Sequence, residues 1–119
     1  MVLKVRSMIA RPSPFETCSR EDCMLYHLVL INFKPEATQI QKDAVKAALD
    51  RLPALIPDIK AYKNGFDIIG SDRSYEFGLY SAFEDLDAMG RYQAHPEHQK
   101  ALGLIREAAA SIVAVDYYA

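Results

Sequence analysis

The chain has 119 residues, half of them hydrophobic, which predicts one compact domain around a single core. Its 14 basic and 16 acidic residues leave a net charge of −2, so nucleic acid and anionic membranes are not expected as partners, because both bind basic surfaces. No segment approaches the roughly 20 apolar residues of a membrane span, and a cytoplasmic location is expected.

Residues 1–23 are predicted to form an N-terminal extension that is either flexible or added to the sheet as an extra edge strand. Residues 11–14 have the Pro-rich composition of a linker, and the main hydrophobic pattern begins only after the extension. The folded domain is therefore expected to span residues 24–119. The two cysteines, Cys18 and Cys23, are too few for a disulfide framework and are expected to be reduced thiols.

The first predicted element is a strand at residues 25–33, which is rich in β-branched and aromatic residues and ends before Pro35. Both of its faces are largely apolar: His27, Val29, Ile31 and Phe33 lie on one, and Tyr26, Leu28 and Leu30 lie on the other. A sheet with one solvated face would instead alternate apolar and polar residues. Something must therefore cover each side of this strand.

The sequence after this strand predicts alternating helices and further strands. Thr38 and Gln41 fit a capping box and predict a helix that ends at Pro53. The remaining predicted elements are strands at residues 59–68 and 75–83, a short helix that opens at residues 84–85, a helix from about Pro96 to Ala110, and a closing strand at residues 111–118.

This order of elements predicts an α+β fold, a ferredoxin-like four-stranded antiparallel sheet with its helices on one face. The other face of the sheet stays open, although the first and last strands are apolar there too. An exposed apolar surface of that extent indicates a partner. A second copy of the chain is expected to cover it, so the protein is predicted to be a homodimer.

The chain's three histidines supply the main chemical candidates. His95 and His98 follow Tyr92 closely, and His27 is expected to lie near them in space. A metal site with His27 as third ligand is disfavoured, because metal sites usually show further Cys, Asp or Glu ligands. No metal is predicted.

An acid–base pair is favoured instead. His98 lies on the apolar stripe of a helix, where its imidazole can act as a base, and Tyr92 can donate a hydrogen bond to a carbonyl oxygen that becomes an oxyanion. The structural alternative stays open: His95 caps the helix, His98 is a satisfied core histidine, and Tyr92 only packs.

Asp116 and the cofactor-binding motifs are considered next as sources of chemistry. Asp116, in the closing strand, is expected to pair with neighbouring backbone or with a lysine. The sequence contains no phosphate-binding glycine loop and no dinucleotide fingerprint, so no cofactor is predicted.

Four segments of the chain form a recognisable set. They are Tyr26-His27-Leu28-Val29 leading to Phe33-Lys34-Pro35, then Phe83-Glu84-Asp85-Leu86, then Tyr92-Gln93-Ala94-His95-Pro96-Glu97-His98-Gln99, and finally Val115-Asp116-Tyr117. Together they resemble the stress-responsive A/B barrel domain (Dabb) family, and the third segment is the most specific. The resemblance implies a dimeric α+β barrel, named for stress-induced relatives. In a polyketide cyclase of that family the histidine matching His98 is the base, the tyrosine matching Tyr92 positions the substrate, and the histidine matching His27 lies nearby.

The leading functional hypothesis is a dimeric protein that binds a small, partly apolar molecule in a pocket between sheet and helices, with Phe33, Phe83 and His95 as expected ligand contacts. The alternative is a cofactor-free aldol cyclase, lyase or isomerase in which His98 removes an activated proton and Tyr92 stabilises the enolate, with His27 orienting or sharing the proton. A third hypothesis is a purely structural dimer.

Overall fold

The computed structural model describes residues 23–119. The predictions made for residues 1–22 lie outside the described residues. In chain order the elements are β1 (Leu25–Phe33), α1 (Gln39–Asp50), α2 (Leu52–Leu55), β2 (Ala61–Phe66), β3 (Phe77–Phe83), α3 (Leu86–Ala94), α4 (Pro96–Ala108) and β4 (Ala109–Tyr118).

The strands form one four-stranded antiparallel sheet in the order β2-β3-β1-β4, which confirms the predicted ferredoxin-like fold. The short helix α2 was not predicted. It arises because Pro53, which was expected to end α1, lies in the first turn of a new helix, where a missing N–H costs nothing. β2 is shorter than the predicted strand at residues 59–68.

The helix ends are fixed by side chains, as the sequence predicts for the first of them. Thr38 caps α1 through its hydroxyl, which accepts from the Gln41 backbone N–H at 3.1 Å, while the Gln41 side chain accepts from the Thr38 backbone N–H at 2.9 Å. Asp85 caps α3. His95 caps α4, since its Nδ1 accepts from the Glu97 backbone N–H at 3.1 Å.

The sheet has two unlike faces. The helix-side face packs against the helices, and the core there is built from large buried side chains: Leu25, Ile31, Phe77 and Phe83 from the strands, and Val45, Leu49 and Ile105 from the helices. No helix formed by residues 23–119 covers the open face. It nevertheless carries apolar side chains, with Val113, Val115 and Tyr117 of β4 all more than 40% exposed. The predicted two-sided apolar character of β1 and β4 is therefore confirmed.

Cys23 is disulfide-bonded, so the expectation that it is a reduced thiol is wrong. Among residues 23–119, no helix has the length and the apolar character that crossing a membrane requires.

Candidate functional site

A row of polar residues crosses the helix-side face of the sheet. Strand register places Tyr62 of β2 opposite Ser81 of β3, Ser81 opposite His27 of β1, and His27 opposite Asp116 of β4. The neighbouring row on the same face contains Leu79, Val29 and Ala114 at the equivalent strand positions. We call Tyr62, Ser81, His27 and Asp116 the polar row.

The histidine of this row is held by the carboxylate beside it. His27 Nδ1 lies 2.5 Å from Asp116 Oδ1. Because a carboxylate only accepts hydrogen bonds, Nδ1 of His27 carries the proton of this hydrogen bond. Asp116 was expected to pair with backbone or a lysine; its partner is instead a histidine 89 residues away in sequence.

Tyr92 and His98 cover this row from the helices. Tyr92 of α3 is fully buried, and its ring centroid lies 4.4 Å from that of His98 and 6.4 Å from that of His27. Phe83 packs against Tyr92 at 4.9 Å. The three residues that the sequence predicted as catalytic are thus brought together, although they come from three different elements.

The two ring nitrogens of His98 have different surroundings. Its Nδ1 donates to the backbone carbonyl of Gln93 at 3.1 Å, since a carbonyl can only accept, and this leaves Nε2 with its lone pair. Burial lowers the pKa of His98 from its ordinary value of 6.5, and the positive charges that His27 and His95 can carry lower it further. The hydrogen bond to Gln93 opposes that shift.

The hydroxyl of Tyr92 is a neutral donor. Burial raises its pKa to about 12, so it keeps its proton throughout the physiological range. Within residues 23–119 the hydroxyl is buried and has no hydrogen-bond partner of good geometry, and the same is true of the Tyr62 hydroxyl. A buried hydroxyl without a partner costs about 1–3 kcal/mol.

A cavity of about 270 Å³ lies between the helix-side face and helices α1, α3 and α4. Its lining consists of the polar residues His27, Tyr92, Gln93, His98 and Gln99 and the apolar residues Val29, Ile31, Leu49, Leu79, Leu102, Ile105, Ile112 and Ala114. A mainly apolar wall with a few converging polar groups is typical of small-molecule sites.

The three predicted ligand contacts do not line this cavity. Phe83 lies behind Tyr92, and His95 serves as the cap of α4. Phe33 belongs to an aromatic cluster with Phe66 and Phe77 toward the other end of the sheet. Their roles in ligand binding stay predictions.

Several residues that line the cavity are not among the predicted site residues. Gln93 and Gln99 are exposed polar residues, and the Gln99 side chain donates to the same Gln93 carbonyl at 2.7 Å that His98 uses. Leu102 lies one turn after His98 on α4, so the apolar stripe of that helix contained the signal. In the part of the chain that the structure describes, no three His, Cys, Asp or Glu side chains are grouped closely enough to hold a metal ion.

The chain matches a known protein family and is similar to several known proteins. The family model described as Stress responsive A/B Barrel Domain matches residues 25–119. An uncharacterised protein of Streptomyces coelicolor is 33% identical over 97 residues, a match that covers 79% of this chain and 98% of the relative.

Two solved structures illustrate the range of the fold. A dimeric ferredoxin-like protein of unknown function from Thermobifida fusca superposes with a TM-score of 0.74 at 33% identity, covering 80% of this chain and 90% of that one. Hydroxynitrile lyase from Passiflora edulis superposes with a TM-score of 0.72 at 20% identity, covering 81% and 93%. At that identity the lyase shows a shared fold and nothing further.

Proposed function

This chain belongs to the stress-responsive A/B barrel domain family, as its sequence motifs predicted, and on that premise we propose that its cavity binds a small, partly apolar molecule. The observation that carries the proposal is the composition of the cavity wall. Tyr92 offers a neutral hydroxyl donor and His98 offers a free ring nitrogen, while most of the remaining wall is aliphatic. A ligand that fits has an apolar body and one oxygen-bearing end.

The test is a thermal-shift screen of small ketones, aldehydes, phenols and fatty acids against the full chain. We expect partly apolar carbonyl compounds to raise the melting temperature. Leu102→Trp places an indole where a half-buried leucine lines the cavity and is expected to abolish the shift. Leu104→Trp, on the same helix but outside the cavity lining, is the matched control and should keep the shift. The proposal fails if no compound stabilises the wild-type protein, or if Leu102→Trp responds like Leu104→Trp.

The second candidate is a cofactor-free enzyme that acts on an activated carbonyl compound. It is favoured by one observation: the free nitrogen of His98 and the hydroxyl of Tyr92 belong to rings in direct contact. In an aldol cyclisation, the C–H bond next to a carbonyl breaks and its proton moves to His98 Nε2. The bonding electrons pass to the carbonyl oxygen, which Tyr92 stabilises as an enolate.

The remaining steps return the proton. The enolate carbon attacks a second carbonyl of the same molecule, a C–C bond forms, and the new alkoxide takes the proton back from His98. Asp116 keeps the His27 ring in one tautomer beside the reacting groups, so His27 is assigned an orienting role.

We would test this activity with 2,6-heptanedione, whose cyclised and dehydrated product absorbs in the ultraviolet. His98→Gln is expected to lower the rate by about 10² to 10⁴, the usual contribution of a positioned acid or base. Tyr80→Phe, which removes a hydroxyl on the open face, is the control and should leave the rate unchanged. A His98→Gln variant as active as the wild type excludes this assignment.

The open face carries a separate part of the proposal. We assign it to a homodimer interface, because β1 and β4 expose a continuous apolar surface there and the relative from Thermobifida fusca is described as dimeric. A cytoplasmic location and a part in a stress response belong to the proposal as well. A purely structural dimer is distinguished by His98→Ala, which would then change the melting temperature without changing any binding isotherm.

A further inference from the structure

Two glycines lie side by side on the open face of the sheet. Gly65 of β2 pairs with Gly78 of β3, which in turn lies opposite Leu30 of β1, and Val113 of β4 completes this cross-strand row. Because glycine has no side chain, the row is low over β2 and β3 and high over β1 and β4, where Leu30 and Val113 are each 43% exposed. We call Gly65 and Gly78 the glycine hollow, and Leu30 and Val113 the ridge.

The glycine hollow is open space on the surface of the sheet. Two adjoining depressions of about 350 Å³ and 320 Å³ meet there, and both have Leu30 and Gly78 in their linings. Tyr80 borders the first depression, and Tyr75 borders the second. Since a water molecule takes about 30 Å³ in the liquid, each depression has room for a group of several atoms, such as an aliphatic side chain.

Nothing within residues 23–119 requires glycine at either position. Neither glycine has the positive φ that Gly70 has, so their backbone is accessible to any residue. A Cβ added at Gly65 would meet no heavy atom within 4 Å, and one added at Gly78 would lie 3.5 Å from Leu30 Cδ2, an ordinary van der Waals distance. Glycine inside a strand weakens the strand, and it often marks the close approach of another group. The reason for the two glycines therefore lies outside this part of the chain.

Two-fold symmetry limits how a second copy can cover the glycine hollow. When two copies of a sheet face each other, the axis between them can run across the strands or along them. An axis across the strands places each strand over its own copy, so hollow faces hollow and a void remains. An axis along the strands places β4 of one copy over β2 of the other, and β1 over β3, because the strand order is β2-β3-β1-β4. The ridge of each copy then lies over the glycine hollow of the other.

We propose that the glycine hollow is the socket for the ridge of a second copy, with Val113 of that copy over Gly65 and its Leu30 over Gly78. The inference rests on the proposed homodimer and specifies its register. Each contact occurs twice, once in each direction, as an isologous interface requires. The exposed apolar surface continues along β4 from the ridge to Val115, so the socket lies within one contact area. The glycines let the two sheets approach closely enough for their apolar side chains to interdigitate.

The first test compares association with folding, which the proposal moves in opposite directions. Gly65→Val adds three carbon atoms to the socket, and we expect the dimer dissociation constant to rise about tenfold to a hundredfold in sedimentation measurements. In the Val115→Asp background the charge on the open face is expected to keep the chain monomeric. There Gly65→Val should raise the melting temperature by about 2–6 °C, because valine suits a strand better than glycine. Gly103→Ala, at an exposed position of α4 where an added Cβ also meets no heavy atom within 4 Å, is the control and should leave the dissociation constant unchanged.

The second test exchanges volume across the proposed contact. Val113→Ala trims the ridge, and alone it should raise the dissociation constant about tenfold. Combined with Gly65→Val, it should give a total rise smaller than the product of the two single effects, because the added methyl groups occupy the space that the trimmed valine leaves. Gly65→Val with Tyr117→Ala is the control pair. Tyr117 lies four residues further along β4, in a different cross-strand row, so these two effects should multiply.

The outcomes separate this inference from the homodimer on which it rests. Wild-type protein that sediments as a monomer at micromolar concentration contradicts the homodimer and the socket together. A wild-type dimer whose dissociation constant does not respond to Gly65→Val overturns the socket and leaves the homodimer in place. A lower melting temperature on adding Gly65→Val to the Val115→Asp monomer also overturns the socket, since the hollow would then be filled by the same chain. Effects of Gly65→Val and Val113→Ala that simply multiply contradict the register.

Discussion

The two faces of the sheet differ from those of an ordinary globular domain. The face covered by helices carries polar residues, and the open face carries exposed apolar ones. On the helix-side face the polar row of Tyr62, Ser81, His27 and Asp116 crosses the sheet, and its central members Ser81 and His27 are buried where apolar side chains are usual. On the open face Val113, Val115 and Tyr117 are exposed, where polar side chains are usual. Buried polar groups and exposed apolar patches are the informative departures from the general pattern. The helix-side face therefore indicates a ligand site, and the open face indicates a protein partner.

The largest effect is expected from a charged residue introduced on the open face. Val115→Asp places a carboxylate twice in a two-fold interface, and burying an unpaired charge costs several kcal/mol. We expect the dimer dissociation constant to rise on the order of a thousandfold, or about 4 kcal/mol, in sedimentation measurements. Ile40→Asp is the control, because Ile40 lies outside the sheet and is already 81% exposed. Equal dissociation constants for the two variants would contradict the assignment of the open face.

On the helix-side face, a smaller side chain in the core is expected to lower the free energy of unfolding. Leu49 is buried and lines the cavity, so Leu49→Ala is expected to lower the free energy of unfolding by about 3 kcal/mol, measured with urea. The larger cavity should also accept a bulkier ketone than the wild-type protein does. Leu55→Ala, at a site 43% exposed, should cost about 0.5 kcal/mol or less. Similar costs at the two positions would show that the core is not organised around Leu49.

A smaller effect tests the polar row. Asp116→Asn replaces the carboxylate that holds His27 with an uncharged amide, and it is expected to lower the free energy of unfolding by about 1 kcal/mol. The loss is modest because the Asp116 side chain is 39% exposed and its charge is partly solvated. Thermal denaturation of Asp116→Asn beside Asp43→Asn, an exposed site on α1, measures the difference. A variant as stable as the control would mean that the pairing with His27 contributes nothing.

The smallest effect is a dependence on pH. Because burial lowers the pKa of His98, the folded protein binds fewer protons than the unfolded chain as the pH falls below about 6.5, and this part of the stability is lost on acidification. His98→Gln should therefore lose less stability than the wild-type protein between pH 7.5 and pH 5.5 in urea titrations. Parallel losses in the two proteins would contradict the burial of a neutral His98.

The fold was predictable because its signals are local. The two-sided apolar pattern of β1 gives both the strand and the need for a partner, and the Thr38 capping box gives the start of α1. Tyr92 and His98 were predictable as a pair because they lie six positions apart, on either side of the break at Pro96. The structure adds their distance and the burial that makes His98 neutral.

The rest of the site depends on register, which the sequence does not contain. His27 pairs with Asp116 only when β1 and β4 adopt one particular register among several possible ones. Tyr62 joins the same row only through β3, and no motif marks it. Phe33 is predicted as a ligand contact, but it lies at the far end of β1 from His27, next to Phe66 and Phe77.

The central claim is that a ligand enters the cavity above the polar row, and NMR titration of the uniformly ¹³C-labelled protein with acetophenone, a small aromatic ketone, tests it most directly. The account predicts saturable shifts in the resonances of Tyr92, His98 and Leu102, with those of Leu30 and Val115 on the open face unchanged. Saturable shifts confined to the open face, or no saturation at Tyr92 and His98, would contradict it.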